Sequence, residues 1–593
     1  MCGIAGIMTT GGRSPDRVVL DRLADALGHR GPDGRGSHVS GPVGLVQTRL
    51  AIIDLKTGDQ PLFAPVPGGG EEAVLVANGE IYNYVELRAQ IGEGRFRTKS
   101  DCEPPLYLYL EHGPGYAAHL RGMYSIALYD PAAERLVLSR DPFGIKPLYY
   151  AETADGLVFA SEAQALVESG CVERRLNAKA RDELLQLQFT TGEETVFDGI
   201  RRVLPGETLV VEDGRVTARS RIDALPVERP APRSADEALA ELDRILMGSV
   251  NIHQRSDVPY GMFLSGGVDS SALLALMARL NERPVRAYTA GFPGTAAHDE
   301  REHARVVAGA AGADHVEVEF TEADFWALLP RIAEAMDDPA ADYAVLPTFK
   351  LAQAVRADGL KVVLSGEGGD ELFAGYGRYR TAMRPWPFSK PMRRTGILEG
   401  LGVLREEDTA KAWRAGIAAA DRKYAVPDLT RLQAKQAVDC ADWLPHDLLN
   451  KMDRCLMANA VEGRVPFLDP EVARFAFRLP DALKLRKGMG KWLLRRWLET
   501  GMPKSDPFSR KRGFTVPVGE WIARRGGELA ALVAAQPGIA EVCDPVAVEK
   551  LFRSGGAKRG KAAWTLLFYA LWHRRHMLGL APAGDVFETL AQK

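Results

Sequence analysis

Apolar and polar positions follow two different rhythms along the chain. In the first third, apolar runs of four to six residues recur at 3–8, 43–46, 50–54, 73–77, 124–129, 135–139, 148–151 and 157–160. Runs of this length, bounded by Gly, Asn, Asp and Thr, predict strands. A helical pattern is predicted at 16–27 and stops at Gly28, a residue suited to a left-handed cap. A last hairpin is predicted at 203–214. Many strands with few helices imply packed sheets in an α+β layered domain.

The rhythm changes after residue 222. Pro226, Pro230 and Pro232 stand among charged residues, a composition that predicts a semi-rigid linker over 223–233. Ser234 with Glu237 then forms a capping box. Two domains are expected, 1–222 and 234–593. In the second, strands at 258–264, 285–292, 315–320 and 360–364 alternate with helices at 272–280, 299–311, 321–335 and 346–357. This alternation predicts an α/β parallel sheet, with ligands beyond the carboxyl ends of its strands. The tail beyond Trp521 reads as helices, and 562–578 is apolar enough to pack on the core. Residues 383–442 suggest no function.

Composition narrows the partners. A chain of 593 residues exceeds one hydrophobic core. A net charge of -3 with 26% charged residues leaves no footprint for nucleic acid or an anionic membrane. Its apolar runs fall short of the ~18 residues of a membrane span. The opening residues lack the basic head and cleavage site of a signal peptide. Cys2, Cys102, Cys171, Cys440, Cys455 and Cys543 are scattered without metal spacing, which fits a reducing cytoplasm.

Cys2 is the first candidate for chemistry. Removal of Met1 would put a thiol and a free α-amine on one residue, and an amine titrating near ~7.7–8.0 can take the thiol proton. On its own, Cys2 reads as a small buried core residue. A thiol attacking an amide needs oxyanion donors, which Asn78 and the Gly79 N–H could supply. A free amino-acid substrate needs a cation such as Arg49 and an anion such as Asp101.

These residues come in a familiar order. Met1-Cys2-Gly3-Ile4, His29 to Asp33, Arg49-Leu50, Asn78 to Asn83, Ser100-Asp101 and Arg140 to Tyr149 resemble the class II glutamine amidotransferases. The resemblance implies an N-terminal-nucleophile hydrolase domain of stacked antiparallel sheets. It also implies Cys2 as nucleophile, Asn78 and Gly79 as oxyanion hole, and Arg49, Ile53, Glu80 and Asp101 among the glutamine contacts.

The second domain carries a different signal. Its first strand runs into Ser265-Gly266-Gly267-Val268-Asp269-Ser270-Ser271 and then a helix, a cradle for phosphate. It lacks the lysine of a Walker A loop. Ser365 to Glu371 lies at another strand end, so Asp269 and Asp370 are expected to share Mg²⁺ with phosphate oxygens. With 462–469, 491–495 and 512–517, these stretches resemble the asparagine synthetase family and its ATP-pyrophosphatase-type domain. The resemblance implies ATP contacts at Leu264, Ala290, Ser365 and Gly366. It implies a catalytic part for Glu367, and phosphate neutralisation by Lys491.

The function expected is ATP-dependent amidation of the aspartate side-chain carboxylate, through an aspartyl-adenylate, with ammonia released from glutamine. The substrates are small molecules, the compartment is cytoplasmic, and a homodimer would be usual for the family. Another acceptor, a peptidoglycan precursor or a peptide, would leave the same motifs. Ring closure without glutamine, as in β-lactam synthetases, is disfavoured by Cys2, Arg49, Asn78 and Asp101. A non-catalytic or purely hydrolytic chain is disfavoured by the Ser265–Ser271 loop, Asp370 and Lys491.

Overall fold

A computed structural model describes residues 2–66, 69–295, 299–385, 388, 391–509 and 516–592. The strand β1 (Cys2–Thr9) is buried throughout and sits inside a six-stranded sheet. It pairs antiparallel with β2 (Val43–Arg49), register Cys2 to Arg49, and with Gly156–Ala160 on its other side. A second six-stranded sheet contains β3 (Ala73–Ile81) beside β4 (Gly122–Asp130), also antiparallel. Ile4 and Met8 pack with Val74, Val76, Leu136 and Leu138 between the sheets. Ala5 and Ile7 face the opposite side and join a core that continues into the second half of the chain. Both faces of β1 are covered, so its sequence reads as an unbroken apolar run.

The run at 50–54 is not a strand. It is an irregular loop folded back on Arg49, whose guanidinium hydrogen-bonds the Asp54 carbonyl at 2.5 Å. The strands Gly34–Ser40 and Leu62–Ala64 were not expected; the first is mostly half-exposed and lacks an apolar signature.

The second half contains a five-stranded parallel sheet. In chain order its strands are Asp314–Glu319 third, Arg286–Gly291 second, β5 (Tyr260–Phe263) first, β6 (Val362–Leu364) fourth and β7 (Glu462–Arg464) fifth. The spatial order 3-2-1-4-5 reverses direction between β5 and β6, the switch point where such sheets open a crevice. The glycine loops at 265–267 and 365–369 leave from those two strands. β7 completes the sheet beside β6 and was not anticipated as a strand, because three residues carry too short a pattern. The Arg512-Gly513-Phe514 stretch lies outside the described residues.

The two halves meet through buried charge. Arg30, with no exposed surface, donates to Asp453 at 2.8 and 3.1 Å and to Glu162 at 2.7 Å. Asp338 accepts from Arg202 at 2.6 and 2.7 Å and from the Tyr149 hydroxyl at 2.9 Å. The Arg140–Tyr149 motif is thereby partly explained. Arg140 ties its own loop by donating to the Lys146, Gly144 and Val203 carbonyls, and this presents Tyr149 to the other half. Gln188 ends the helix Ala178–Leu187 in a left-handed turn and donates to the Ala341 carbonyl and the Thr565 hydroxyl.

Removing one partner of a buried pair strands the other, at about 3–5 kcal/mol. Asp453→Ala should therefore lower stability in urea unfolding by about that amount; a loss under about 1 kcal/mol would place the stability of the interface elsewhere.

Candidate active sites

The first site forms where β1 begins. The Cys2 main-chain N–H donates to Asn78 Oδ1 at 3.1 Å. A main-chain N–H can only donate, which orients the amide and leaves Asn78 Nδ2 as a buried donor without a partner among the described residues. Gly79 has φ +154°, and a Cβ there would come within 2.0 Å of the Met123 carbonyl oxygen, so β4 admits only glycine. Burial pushes the Cys2 thiol up, against the N-terminal ammonium, a Leu50 main-chain hydrogen bond and Arg49.

Arg49 also donates to Asp59 Oδ1 at 2.6 Å and to the Ile53 carbonyl at 3.4 Å. Asp101 lies behind β3, where its carboxylate accepts the Ile81 N–H at 2.8 Å. Burial lifts the Asp101 carboxyl to about 6. Glu80 brings its carboxylate to the second half, 3.3 Å from Arg464 Nη2. Burial and the Glu462 carboxylate both raise the Glu80 carboxyl.

Arg464 is the link between sites. Its side chain donates to Glu462 at 2.6 Å and to the His253 and Arg255 carbonyls at 2.9 and 2.6 Å. Its own carbonyl accepts the Ser365 N–H at 2.8 Å. Ser365 opens the second glycine loop.

That loop and the first line a cavity of about 1120 Å³ at the switch point. All the expected nucleotide residues border it: Leu264, Ser265, Gly266, Gly267, Asp269, Ser270, Ala290, Ser365 and Gly366, together with Glu367, Asp370 and Lys491. The volume exceeds the roughly 300–1,000 Å³ of ordinary small-molecule pockets, leaving room for a second substrate. Ser265 and Ser270 hydroxyls lie 3.1 Å apart and the Gly267 N–H donates to Ser265 Oγ, which folds the first loop over the helix Val268–Leu280.

Lys491 lies between two carboxylates, bonded to Asp269 and 2.6 Å from Asp370 Oδ1. Burial alone would depress its ammonium, yet Asp269 and Asp370 hold it above its ordinary value. Glu367 is raised by burial and partly offset by Lys451, 3.9 Å away.

Comparison with known proteins places these two sites in context. Residues 1–221 match the glutamine amidotransferase domain, and residues 241–574 match asparagine synthase. The chain belongs to the asparagine synthase family. It is similar to the putative glutamine-hydrolyzing asparagine synthetase of Mycobacterium tuberculosis, 34% identical over 97% of each chain. It is also similar to asparagine synthetase 1 of Bacillus subtilis, 30% identical over 97% of this chain and 96% of that one. Asparagine synthetase B of Escherichia coli is 30% identical over 88% and 83%. Family membership makes the chain an enzyme, a ligase with an attached amidotransferase domain, as the motifs implied. Among the described residues no helix is long and apolar enough to cross a membrane.

Sequence motifs missed one wall of the cavity. Arg378, Arg393, Trp443, Asp447 and Lys451 line it, as do Gln186 to Gln188 from the first half. Trp443, Asp447 and Lys451 recur every fourth residue, a helical stripe that marks one face. Arg378 and Arg393 carry no such signal.

Gly375 supports the Lys491 pair from behind. A Cβ there would fall 1.7 Å from Asp370 Oδ1 and 2.3 Å from Lys491 Cε. Gly375→Ala should abolish ATP binding in calorimetry while alkylation of Cys2 by iodoacetamide proceeds at the parent rate; retained ATP affinity would show that the pair tolerates displacement.

Proposed function

We propose that this enzyme makes asparagine from aspartate, using ATP and the amide nitrogen of glutamine. The observation that carries this reading is the coupling of two unlike sites through Arg464. A thiol with an oriented amide donor stands on one side, and a phosphate-sized glycine cradle stands on the other. We take the functional division to be 1–222, a linker at 223–233, and 234–593.

With Met1 removed, Cys2 attacks the glutamine amide carbon after its own α-amine accepts the thiol proton. The amine would then be the group that Asn78 Oδ1 already holds, while Asn78 Nδ2 and the Gly79 N–H receive the oxyanion. Ammonia leaves, and water releases glutamate from the thioester. Arg49 would exchange its exposed partner Asp59 for the glutamine carboxylate, near the Ile53 carbonyl and the Glu80 main chain. Asp101 would receive the glutamine ammonium.

In the large cavity, an aspartate β-carboxylate oxygen attacks the α-phosphorus of ATP and pyrophosphate leaves. This step is needed because a carboxylate oxygen is a poor leaving group. Ammonia then attacks the acyl carbon and AMP departs. Ser265, Gly266, Gly267 and Ser270 would cradle the phosphates, with Leu264, Ala290, Ser365 and Gly366 against the rest of the nucleotide. Lys491 would turn from the two aspartates to the pyrophosphate. Asp269 and Asp370 converge on one cation in this structure, so they fit Mg²⁺, which when bound neutralises phosphate charge. Glu367, whose carboxyl burial pushes up while Lys451 partly offsets the shift, would assist proton transfer at the adenylate.

Incubation with ATP, Mg²⁺, glutamine and aspartate should yield asparagine and pyrophosphate in equal amounts. Cys2→Ala should lose glutamine use yet keep synthesis from ammonium salts. Absence of asparagine, or loss of both activities in Cys2→Ala, would sink the scheme.

Asp101 gives the glutamine site a pH dependence. Its carboxylate is charged only above about 6, so the glutamine ammonium loses its partner as pH falls through that value. In Cys2→Ala the dissociation constant for glutamine should rise roughly tenfold per pH unit below about 6. Asp101→Asn should bind weakly at every pH; a parallel pH dependence in that variant would assign the titration to another group.

A further inference from the structure

The cavity wall facing the glycine loops contains groups that neither set of motifs uses. Two guanidiniums stand over the ring of Trp443, Arg378 at 4.1 Å and Arg393 at 4.7 Å from its centroid. Arg378 Nε donates to Asp439 at 2.8 Å, but its Nη2 is buried without a partner among the described residues. Arg393 leaves both Nε and Nη2 buried and without a hydrogen-bond partner among the described residues. Those two N–H groups form one edge of the guanidinium, the edge that grips a carboxylate through two parallel hydrogen bonds.

One helical turn beyond Trp443, Asp447 presents a carboxyl that burial pushes up to about 7. Its Oδ2 accepts the Trp443 indole N–H, while Oδ1 is buried and unpartnered among the described residues. Buried polar atoms without partners are costly and few in native proteins. Here four of them surround one indole, and all three residues line the same cavity. Three are donors and one is an acceptor. Arg378 already holds Asp439, which leaves the Arg393 edge and Asp447 Oδ1 to receive a group with a carboxylate at one end and an ammonium at the other.

The wall is braced for such a task. Arg393 adopts φ +45°, which a residue other than glycine keeps only where its surroundings hold it. Arg414 donates to the Met392 and Arg393 carbonyls, and Gln186 Oε1 accepts the Leu398 N–H at 3.1 Å. Lys451, one turn past Asp447, bridges toward Glu367 of the second glycine loop, so this wall adjoins the nucleotide end.

We infer that Arg393, Arg378, Trp443 and Asp447 form a receptor for the zwitterionic head of a free α-amino acid. The guanidiniums take its α-carboxylate and Asp447 takes its α-ammonium. The side-chain carboxylate is then the only reactive end directed at the nucleotide. This rests on the amidation reading above and adds a restriction: acceptors with a blocked α-amine or α-carboxylate, including residues within a peptide, are rejected.

The test measures KM for aspartate, ATP and glutamine in the full-length enzyme and in Arg393→Lys, with pyrophosphate and asparagine as readouts. Loss of the two-bond grip should raise KM for aspartate about 10- to 100-fold and leave KM for ATP and the glutaminase rate unchanged. N-acetylaspartate and aspartate α-amide should release no pyrophosphate. A variant that shifts KM for ATP instead would make the arginines phosphate ligands and overturn the receptor. So would blocked acceptors that serve as well as aspartate. If the parent enzyme makes asparagine and Arg393→Lys leaves KM for aspartate unmoved, the receptor alone fails. If the parent enzyme makes none but amidates a blocked acceptor, the receptor and the aspartate reading fail together.

Discussion

A guanidinium with no exposed surface governs this molecule. Arg464 sits on the last strand of the parallel sheet, where five polar contacts surround it. Burying an unpaired charge is prohibitive, so each partner must stay where Arg464 needs it. Glu80 is thereby held at the amidotransferase side, while the Arg464 carbonyl ties Ser365 at the mouth of the large cavity. Glu80 cannot shift without leaving a buried charge short of a partner. The Ser365 loop is tied to the same residue by a main-chain hydrogen bond, so Arg464 sets the spacing of the two sites.

The interface around it is charged, yet charge is not its main source of stability. A continuous apolar core runs from Ala5 in the first sheet to Leu590 near the end of the chain, and burial of such surface dominates the free energy. Arg30, Asp453, Asp338 and Arg202 contribute direction instead. Apolar surfaces slide over one another with little penalty, whereas a bidentate ion pair tolerates one register. The combination gives two domains that are both strongly attached and fixed in orientation.

The sequence was most legible where a local pattern suffices. The run at β1, the glycine loop at 265–267 and the capping box at Ser234 each place their element without help from distant residues. The loop at 50–54 misled because Leu50 and Ile52 are buried in the core shared with the second half, without strand partners. β7 was invisible as a strand because its pairing with β6 is entirely long-range. Glu80 illustrates the same limit within the site. Its place beside Asn78 and Gly79 suggests a glutamine contact, but no local pattern shows that its carboxylate lies against a residue 384 positions later, Arg464. Arg393 lies in an irregular segment with no periodicity, so only the folded chain shows what it lines.

Gln186, Leu187 and Gln188 belong to the first half but close the cavity of the second. Phe189, next in line, lies 4.9 Å beneath Arg393. Recombination at the proline-rich junction would thus separate a pocket from part of its own wall. The halves look exchangeable when read as text, but inheritance has to transmit them together. A lineage could refine either half by point substitution, yet could not borrow a foreign amidotransferase half without also importing a new wall for that cavity.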